Sequence, residues 1–119
     1  MKSRSFLKKI LASKKHEVEK LKLESPLTKI EKRIKNQPPP LNISGSLMSD
    51  SIRIIAEIKK QSPINGILRE NLDPASTAAL YANNGAAAIS VLTEEKHFQG
   101  HIMDLDSVRK ITSPLGVPI

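Results

Sequence analysis

Two charged residues at the end of a short apolar segment are the first candidates for chemistry. Glu57 and Lys59 are two residues apart, and the segment 52–58 that leads to them is mostly isoleucine. Residues two apart in a β-strand point to the same face of the sheet. A carboxylate and an ammonium group on one face can pair and prepare a proton transfer. The residues alone leave open a structural ion pair and charges on a solvated edge strand.

A second polar stretch follows the next apolar segment of the chain. Residues 94–97 are charged or histidine, and Phe98 comes directly after them. This composition is typical of a solvated loop whose aromatic residue covers the core, and the functional alternative makes Phe98 an apolar wall for an aromatic ligand. His97 and His101 lack partners at metal-ligand spacing, so we expect no metal site. The sequence has neither a glycine-rich dinucleotide fingerprint nor a P-loop.

Alternating strands and helices must position these side chains. Short apolar runs predict buried strands, and Asp73-Pro74 predicts the start of a helix that Gly85 follows. Alternation of this kind implies parallel pairing through right-handed crossovers, and parallel sheets carry their sites at the carboxyl ends of the strands. The predicted strands span 52–58, 86–92 and the opening residues 117–119, the predicted helices span 75–84 and 102–111, and the predicted loops span 59–72 and 93–101.

This pattern fits two architectures, an open doubly wound sheet and a (β/α)8 TIM barrel. A barrel needs about 250 residues, so the 119 residues supply only the first two βα units and the start of strand 3. In a barrel, Glu57 and Lys59 would point inward, opposite to Ile58. We expect the chain to be a fragment that is prone to self-association, because a strand without a partner leaves an open sheet edge.

The excess positive charge lies in residues 1–50, which hold 12 Lys or Arg and 5 Asp or Glu, whereas residues 51–119 hold 7 of each. We divide the chain there into a basic helical extension with a Pro-rich connector (1–50, with the connector at 36–50) and an α/β part (51–119), which in the barrel alternative is the first part of a TIM barrel. The charge raises the alternative of a module that binds nucleic acid or an acidic partner. Aromatic residues make up only 3%, which argues against stacking on bases, and we expect no nucleic-acid partner.

Composition also limits the cellular setting and the chemistry. The chain has no cysteine, which excludes disulfides and thiol nucleophiles and fits a reducing compartment; the cytoplasmic location that we expect comes from the family resemblance described below. No apolar run approaches the ~20 residues of a membrane span, so we expect no membrane partner.

Several of these residues together resemble indole-3-glycerol phosphate synthase. The resemblance runs without evident gaps from about residue 52 to 119, and the leading helix and the triple proline resemble that family's N-terminal extension. The motifs that carry it are Glu57-Ile58-Lys59-Lys60-Gln61-Ser62-Pro63, Ser90-Val91-Leu92-Thr93-Glu94 and Phe98-Gln99-Gly100.

The resemblance implies a (β/α)8 barrel and a carboxy-lyase of tryptophan biosynthesis that needs no cofactor. Such enzymes close the indole ring of 1-(2-carboxyphenylamino)-1-deoxyribulose 5-phosphate and release carbon dioxide and water. Lys59 would contact the anionic substrate and protonate or position its ketone, and Glu57 would pair with lysines in the site. Ser62 would hydrogen-bond the carboxylate region of the substrate, and Phe98 would pack beside its aromatic ring.

Other parts of the family's active site have no counterpart in these residues. Family members continue the third strand into a Lys-Asp-Phe run whose lysine is the favoured general acid, and they add a second glutamate and a phosphate site. Lys110 is not that lysine, because it lies on the preceding helix. We therefore expect the 119 residues to be inactive alone, with a half-barrel assembly partner as a further alternative.

Overall fold

The structure is a computed structural model that describes residues 2–119, with side chains from residue 6 onward. The chain divides into two compact units, Met1–Pro39 and Pro40–Ile119. This division falls within the predicted connector, and the functional boundary at residue 50 stays a prediction. Within the part of the chain that the structure describes, no helix is long and apolar enough to cross a membrane.

The first unit contains the basic helices α1 (Lys2–Glu24) and α2 (Leu27–Ile34). Lysine and glutamate pair along α1, with Lys20 Nζ 3.6 Å from Glu24 Oε1. Ser25-Pro26 predicts a helix whose first residue is Pro26, and the structure corrects this start by one position. Pro26 is the N-cap, because its ψ of 154° is extended, and its carbonyl accepts the first helical hydrogen bond, from the Lys29 N–H at 2.9 Å.

The second unit contains the predicted alternation of strands and helices. Its elements, in chain order, are α3 (Ile43–Leu47), β1 (Ile55–Ile58), β2 (Gln61–Ser62), β3 (Gly66–Ile67), α4 (Pro74–Asn83), β4 (Ala88–Val91), α5 (Glu95–Phe98), α6 (Ile102–Thr112) and a 3₁₀ turn (Ser113–Leu115).

Strands β1 and β4 form a parallel sheet, as predicted, with Glu57 beside Ser90 and Ile58 beside Val91. The segment predicted to open a third strand lies on the other side of β4, because the Ile89 N–H donates to the Pro118 carbonyl at 2.9 Å. Spatial order therefore follows chain order, although the strands of residues 2–119 do not close into a barrel.

Helices α4 and α6 cover one face of this sheet. The buried residues of this core come from both strands, both helices and the segment after the 3₁₀ turn: Ile58, Ala78, Ile89, Val108 and Val117. Period-two alternation places Ile55 and Glu57 on the opposite face, where both are exposed. The covered face thus provides the stability, and the other face presents polar groups.

The start of α4 agrees with the sequence signals. The Asp73 carboxylate accepts from the Ser76 N–H at 2.8 Å, and Pro74 is the first helical residue. This hydrogen bond is the main cause that lowers the pKa of Asp73 below its ordinary value of 3.8. Gly85 follows the helix with a φ of +88°, a conformation that costs glycine little.

The prediction that the connector and the two loops lack secondary structure is wrong, because each of these segments contains a short helix or a pair of short strands. The connector 36–50 contains α3, which begins where the Asn42 side chain accepts from the Gly45 N–H at 2.9 Å. The loop 59–72 contains the antiparallel hairpin of β2 and β3. The loop 93–101 contains α5. Local caps and turns rather than apolar periodicity create these elements, so a search for periodicity misses them.

Candidate active site

Glu57 and Lys59 form the centre of the candidate site. Lys59 Nζ lies 2.8 Å from Glu57 Oε1, so the two side chains share a face of the sheet as their spacing predicted. Glu57 is in β1 and Lys59 directly follows Ile58, the last residue of that strand. Their side chains are 43% and 33% exposed, which leaves the ammonium group able to reach a ligand from solvent.

Ser90 completes this cluster, and sequence reasoning did not single it out. Its hydroxyl donates to Glu57 Oε2 at 3.2 Å, because Ser90 in β4 stands beside Glu57 in β1. The sequence did indicate that the carboxyl ends of the two strands meet at one edge of the sheet. Identifying Ser90 as the neighbour of Glu57 also requires the register of the two strands, which the sequence does not specify.

Ser62 lies in β2, the first strand of the hairpin that follows β1. Its half-buried side chain accepts a hydrogen bond from the Asn65 N–H at 3.0 Å, which stabilises the turn of the hairpin. A hydroxyl that accepts from the backbone keeps its own proton available for a ligand. The turn and a ligand therefore use different parts of the same group.

Phe98 is the last residue of α5 and is half-buried. Helix α5 packs against β2, so the elements that carry Phe98 and Ser62 are neighbours. The clustering of the Phe98 ring with Glu57 and Lys59 stays a prediction.

Glu94 and Gly100 hold α5 in place at the end of β4. Glu94 Oε2 accepts from the backbone N–H groups of His97 at 2.7 Å and Phe98 at 3.2 Å. The Gly100 N–H donates to the Glu94 carbonyl at 2.8 Å. A Cβ atom at Gly100 would overlap the Leu92 carbonyl oxygen, so only glycine fits there. These residues were predicted as a solvated loop, but they form a capped turn.

A second ion pair ties the end of β1 to helix α6. Lys60 Nζ lies 2.7 Å from Asp104 Oδ2, and the two side chains are 25% and 16% exposed. Asp104 Oδ2 also accepts from the His101 N–H at 3.0 Å, so one carboxylate caps the helix and anchors the lysine next to Lys59. Sequence reasoning missed this pair because its members are 44 positions apart.

The described residues contain no cluster of three or more histidine, cysteine, aspartate or glutamate residues that could hold a metal ion. The side chains of the cluster offer chemistry of their own. A lysine ammonium can bind an anion or donate a proton, a carboxylate can balance its charge, and hydroxyls can orient either group.

Comparison with known proteins identifies relatives of the chain. The family model for indole-3-glycerol phosphate synthase matches residues 7–117, which includes most of the basic α1. A protein of that name from Roseiflexus castenholzii is 43% identical over 108 residues, covering 90% of this chain and 40% of the relative. One from Dehalococcoides mccartyi strain CBDB1 is 41% identical over 106 residues, covering 88% and 41%. A chloroplastic one from Arabidopsis thaliana is 40% identical over 111 residues, covering 89% and 28%.

Proposed function

We propose that this chain, which belongs to the indole-3-glycerol phosphate synthase family, carries one part of the active site for indole ring closure. The substrate is 1-(2-carboxyphenylamino)-1-deoxyribulose 5-phosphate, and the products besides indole-3-glycerol phosphate are carbon dioxide and water. The chain spans about 40% of the length of the bacterial relatives named above. The observation that carries the proposal is the Glu57–Lys59 pair at the carboxyl end of β1.

We assign β1 and β4 to the first two strands of a (β/α)8 barrel, and residues 117–119 to the start of the third. Parallel pairing in chain order supports this assignment, as does the hydrogen bond from Ile89 to Pro118. The face that carries Glu57 and Lys59 would then line the barrel interior. Family barrels use the carboxyl ends of their strands for catalysis, and both residues lie at that end.

Lys59 is the residue that we assign to the anionic substrate. Its ammonium group can bind the substrate's negative charge and polarise the ketone that the aromatic carbon attacks. Ring closure needs a proton on that ketone oxygen as the carbon–carbon bond forms, and later the loss of a proton as water leaves. A lysine on a strand end can serve the first of these needs by hydrogen bonding or by proton transfer.

Glu57 has the complementary role of balancing and orienting the Lys59 charge. Its Oε1 atom holds the ammonium group at 2.8 Å, which keeps the lysine pointed along the face of the sheet. The pair therefore holds the ammonium group at the carboxyl end of β1, where the ketone would be bound.

Ser62 and Phe98 are assigned to the aromatic half of the substrate. The Ser62 hydroxyl would donate to the substrate carboxylate while it continues to accept from Asn65. The Phe98 ring would pack beside the anthranilate ring, since offset or edge-to-face aromatic contacts add about 0.5–1.5 kcal/mol to burial. The packing of α5 against β2 supports the use of both residues on one ligand.

The partner of this site is thus a phosphorylated small molecule, without a cofactor. We place the protein in the cytoplasm, because a chain without cysteine suits a reducing compartment. The basic α1 needs no separate nucleic-acid function, since the family match includes most of this helix.

A binding experiment with the 119-residue chain tests this proposal. The chain, labelled with ¹⁵N, is titrated with the substrate, and amide shifts are followed by NMR. We expect shifts at Lys59, Ser62 and Phe98, and Lys59→Ala should weaken binding about tenfold or more, the typical effect of losing one hydrogen bond to a charged group.

Lys110→Ala is the matched control. Lys110 also pairs with a carboxylate, with Nζ 2.8 Å from Asp106 Oδ2, but it lies on α6, away from the strand ends. The control should bind as the unmodified chain does. Equal weakening by both substitutions would reduce the interaction to nonspecific charge attraction, and an absence of shifts around Lys59 would refute the proposed site.

A further inference from the structure

We propose that Ser90 is a positioning residue that orients the Glu57 carboxylate and, through it, the Lys59 ammonium group. This inference rests on the proposed function, since it concerns how Lys59 is presented to a substrate. Ser90 is not assigned as a catalytic residue, because its hydroxyl acts through Glu57.

The sheet register brings Ser90 to Glu57. The two residues are paired neighbours on adjacent parallel strands, and paired side chains of neighbouring strands point to the same face. The serine hydroxyl is only one bond from Cβ, so it reaches the carboxylate only where the strands hold this register. The 3.2 Å contact between Ser90 Oγ and Glu57 Oε2 is therefore set by the backbone of the sheet.

The two carboxylate oxygens of Glu57 have different partners. Oε1 accepts from the Lys59 ammonium group, and Oε2 accepts from the Ser90 hydroxyl. Ser90 must be the donor when the carboxylate is ionised, because that group only accepts. One oxygen is thus tied to the neighbouring strand, and the other is held for the lysine.

The second contact matters because the ion pair is partly exposed. With side chains 43% and 33% exposed, Glu57 and Lys59 gain little from their attraction alone, since water and lost side-chain freedom oppose it. A carboxylate that is already held by Ser90 loses less freedom when it pairs with the lysine. The hydroxyl therefore raises the fraction of molecules in which Lys59 is held at the end of β1.

Competitive acetylation of the 119-residue chain measures that fraction. A trace of acetic anhydride modifies free amines, and mass spectrometry of peptides gives the ratio of modification at Lys59 to that at Lys110. Lys110 serves as the internal reference because its ion pair with Asp106 lies outside the cluster. Ser90→Ala should raise this ratio about two- to fivefold, the range expected for one exposed hydrogen bond.

Three further variants separate positioning from a general structural role. Ser90→Thr keeps the hydroxyl and suits a strand, so it should restore the unmodified ratio. Ser107→Ala removes a hydroxyl that contacts only the Met103 carbonyl of its own helix, and it should leave the ratio unchanged. In a Glu57→Ala background, adding Ser90→Ala should change the ratio by less than about 1.7-fold, the lower end of the error of additivity.

The outcomes decide the proposal whether or not the chain binds substrate. An unchanged ratio in Ser90→Ala, an equal rise in Ser90→Thr, or the full rise without Glu57 would each overturn it. Circular dichroism checks whether each variant folds, and if Ser90→Ala does not fold, the Ser90→Thr ratio and the Glu57→Ala ratio still test the contact. A missing NMR response to substrate would refute the proposed function alone, since the acetylation ratio does not depend on it.

Discussion

Replacing Gly100 with alanine should destabilise the chain and displace the turn that carries Phe98. The new Cβ atom would overlap the Leu92 carbonyl oxygen and lie 2.8 Å from the carbonyl carbons of Leu92 and Thr93. All three atoms belong to the backbone, so no side-chain rotation can relieve the overlap. The Leu92 N–H is bonded to the Ile58 carbonyl at 3.1 Å, which restrains the strand end, and helix α5 must therefore move.

The expected cost has two parts. Overpacking a close contact costs about 1–3 kcal/mol. Movement of α5 also strains the 2.8 Å hydrogen bond from the Gly100 N–H to the Glu94 carbonyl, which is worth about 0.5–1.5 kcal/mol. Gly100→Ala should thus lower the free energy of unfolding by about 2–4 kcal/mol.

Urea unfolding followed by circular dichroism measures this loss, and Gly66→Ala is the matched control. Gly66 has a φ of +68° and open space around its Cβ position, so alanine there costs about 1–2 kcal/mol of backbone strain without a clash. The Phe98 amide resonance should move in Gly100→Ala and stay in Gly66→Ala. A loss in the free energy of unfolding below about 1 kcal/mol in Gly100→Ala, or an unchanged Phe98 amide resonance, would refute the conclusion that only glycine fits at position 100.

Four more outcomes are expected. Lys60→Met, which breaks the Lys60–Asp104 pair, should lower the free energy of unfolding in urea by about 1 kcal/mol. A double-mutant cycle with Asp104→Asn should assign most of this loss to the coupling between the two side chains. Additive losses in the two single variants would contradict this prediction. Thr112→Val should stabilise the chain by about 1 kcal/mol in the same assay, because the buried Thr112 Oγ1 has no hydrogen-bond partner among the residues that the structure describes. A loss of stability would show that the hydroxyl is satisfied. The pKa of Asp73 is lower in the folded chain than its unfolded value of 3.8, so the carboxylate contributes stability above that value, and this stability is lost as the pH falls through the folded value. Asp73→Asn, which keeps a cap, should therefore flatten the acid limb of a curve of stability against pH. Identical curves for the two chains would be the contrary result. The 119 residues alone should form no indole-3-glycerol phosphate at a useful rate in a fluorescence assay. Each acid–base or electrostatic group contributes a factor of about 10²–10⁴ to the reaction rate, and this cluster holds few such groups. Turnover within about tenfold of 10 s⁻¹ that is lost in Lys59→Ala would contradict this prediction.

The alternation of strands and helices could be predicted because it depends on the covered face of the sheet. Ile58 and Ile89 are buried under α4 and α6, and such residues produce the short apolar runs that identify strands. Caps such as Asp73 also use local signals that the sequence displays. The shared face of Glu57 and Lys59 could also be predicted locally, because it follows from their two-residue spacing and the geometry of a strand.

The features that sequence analysis missed are contacts between residues that are far apart in the sequence and meet only in the folded chain. Ser90 contacts Glu57 across 33 positions, and Lys60 contacts Asp104 across 44. Neither pairing follows from periodicity, because the register of the sheet and the placement of α6 select the partners. The predicted strands were also longer than the observed ones: β1 begins at Ile55 rather than at 52, since apolar residues continue beyond the hydrogen-bonded ladder.

The motif residues after β4 and those of β1 are constrained for different reasons. Gly100 is required by its approach to the Leu92 carbonyl, Gln99 has a φ of +53°, and the Glu94 carboxylate is occupied in capping α5. These three residues therefore build the turn that carries Phe98. Glu57 and Lys59 satisfy no backbone requirement, and their pairing leaves the ammonium group partly exposed. A charged ligand at the strand end, as proposed above, would account for a glutamate and a lysine there, whereas the glycine and its neighbours are explained by the geometry of the turn.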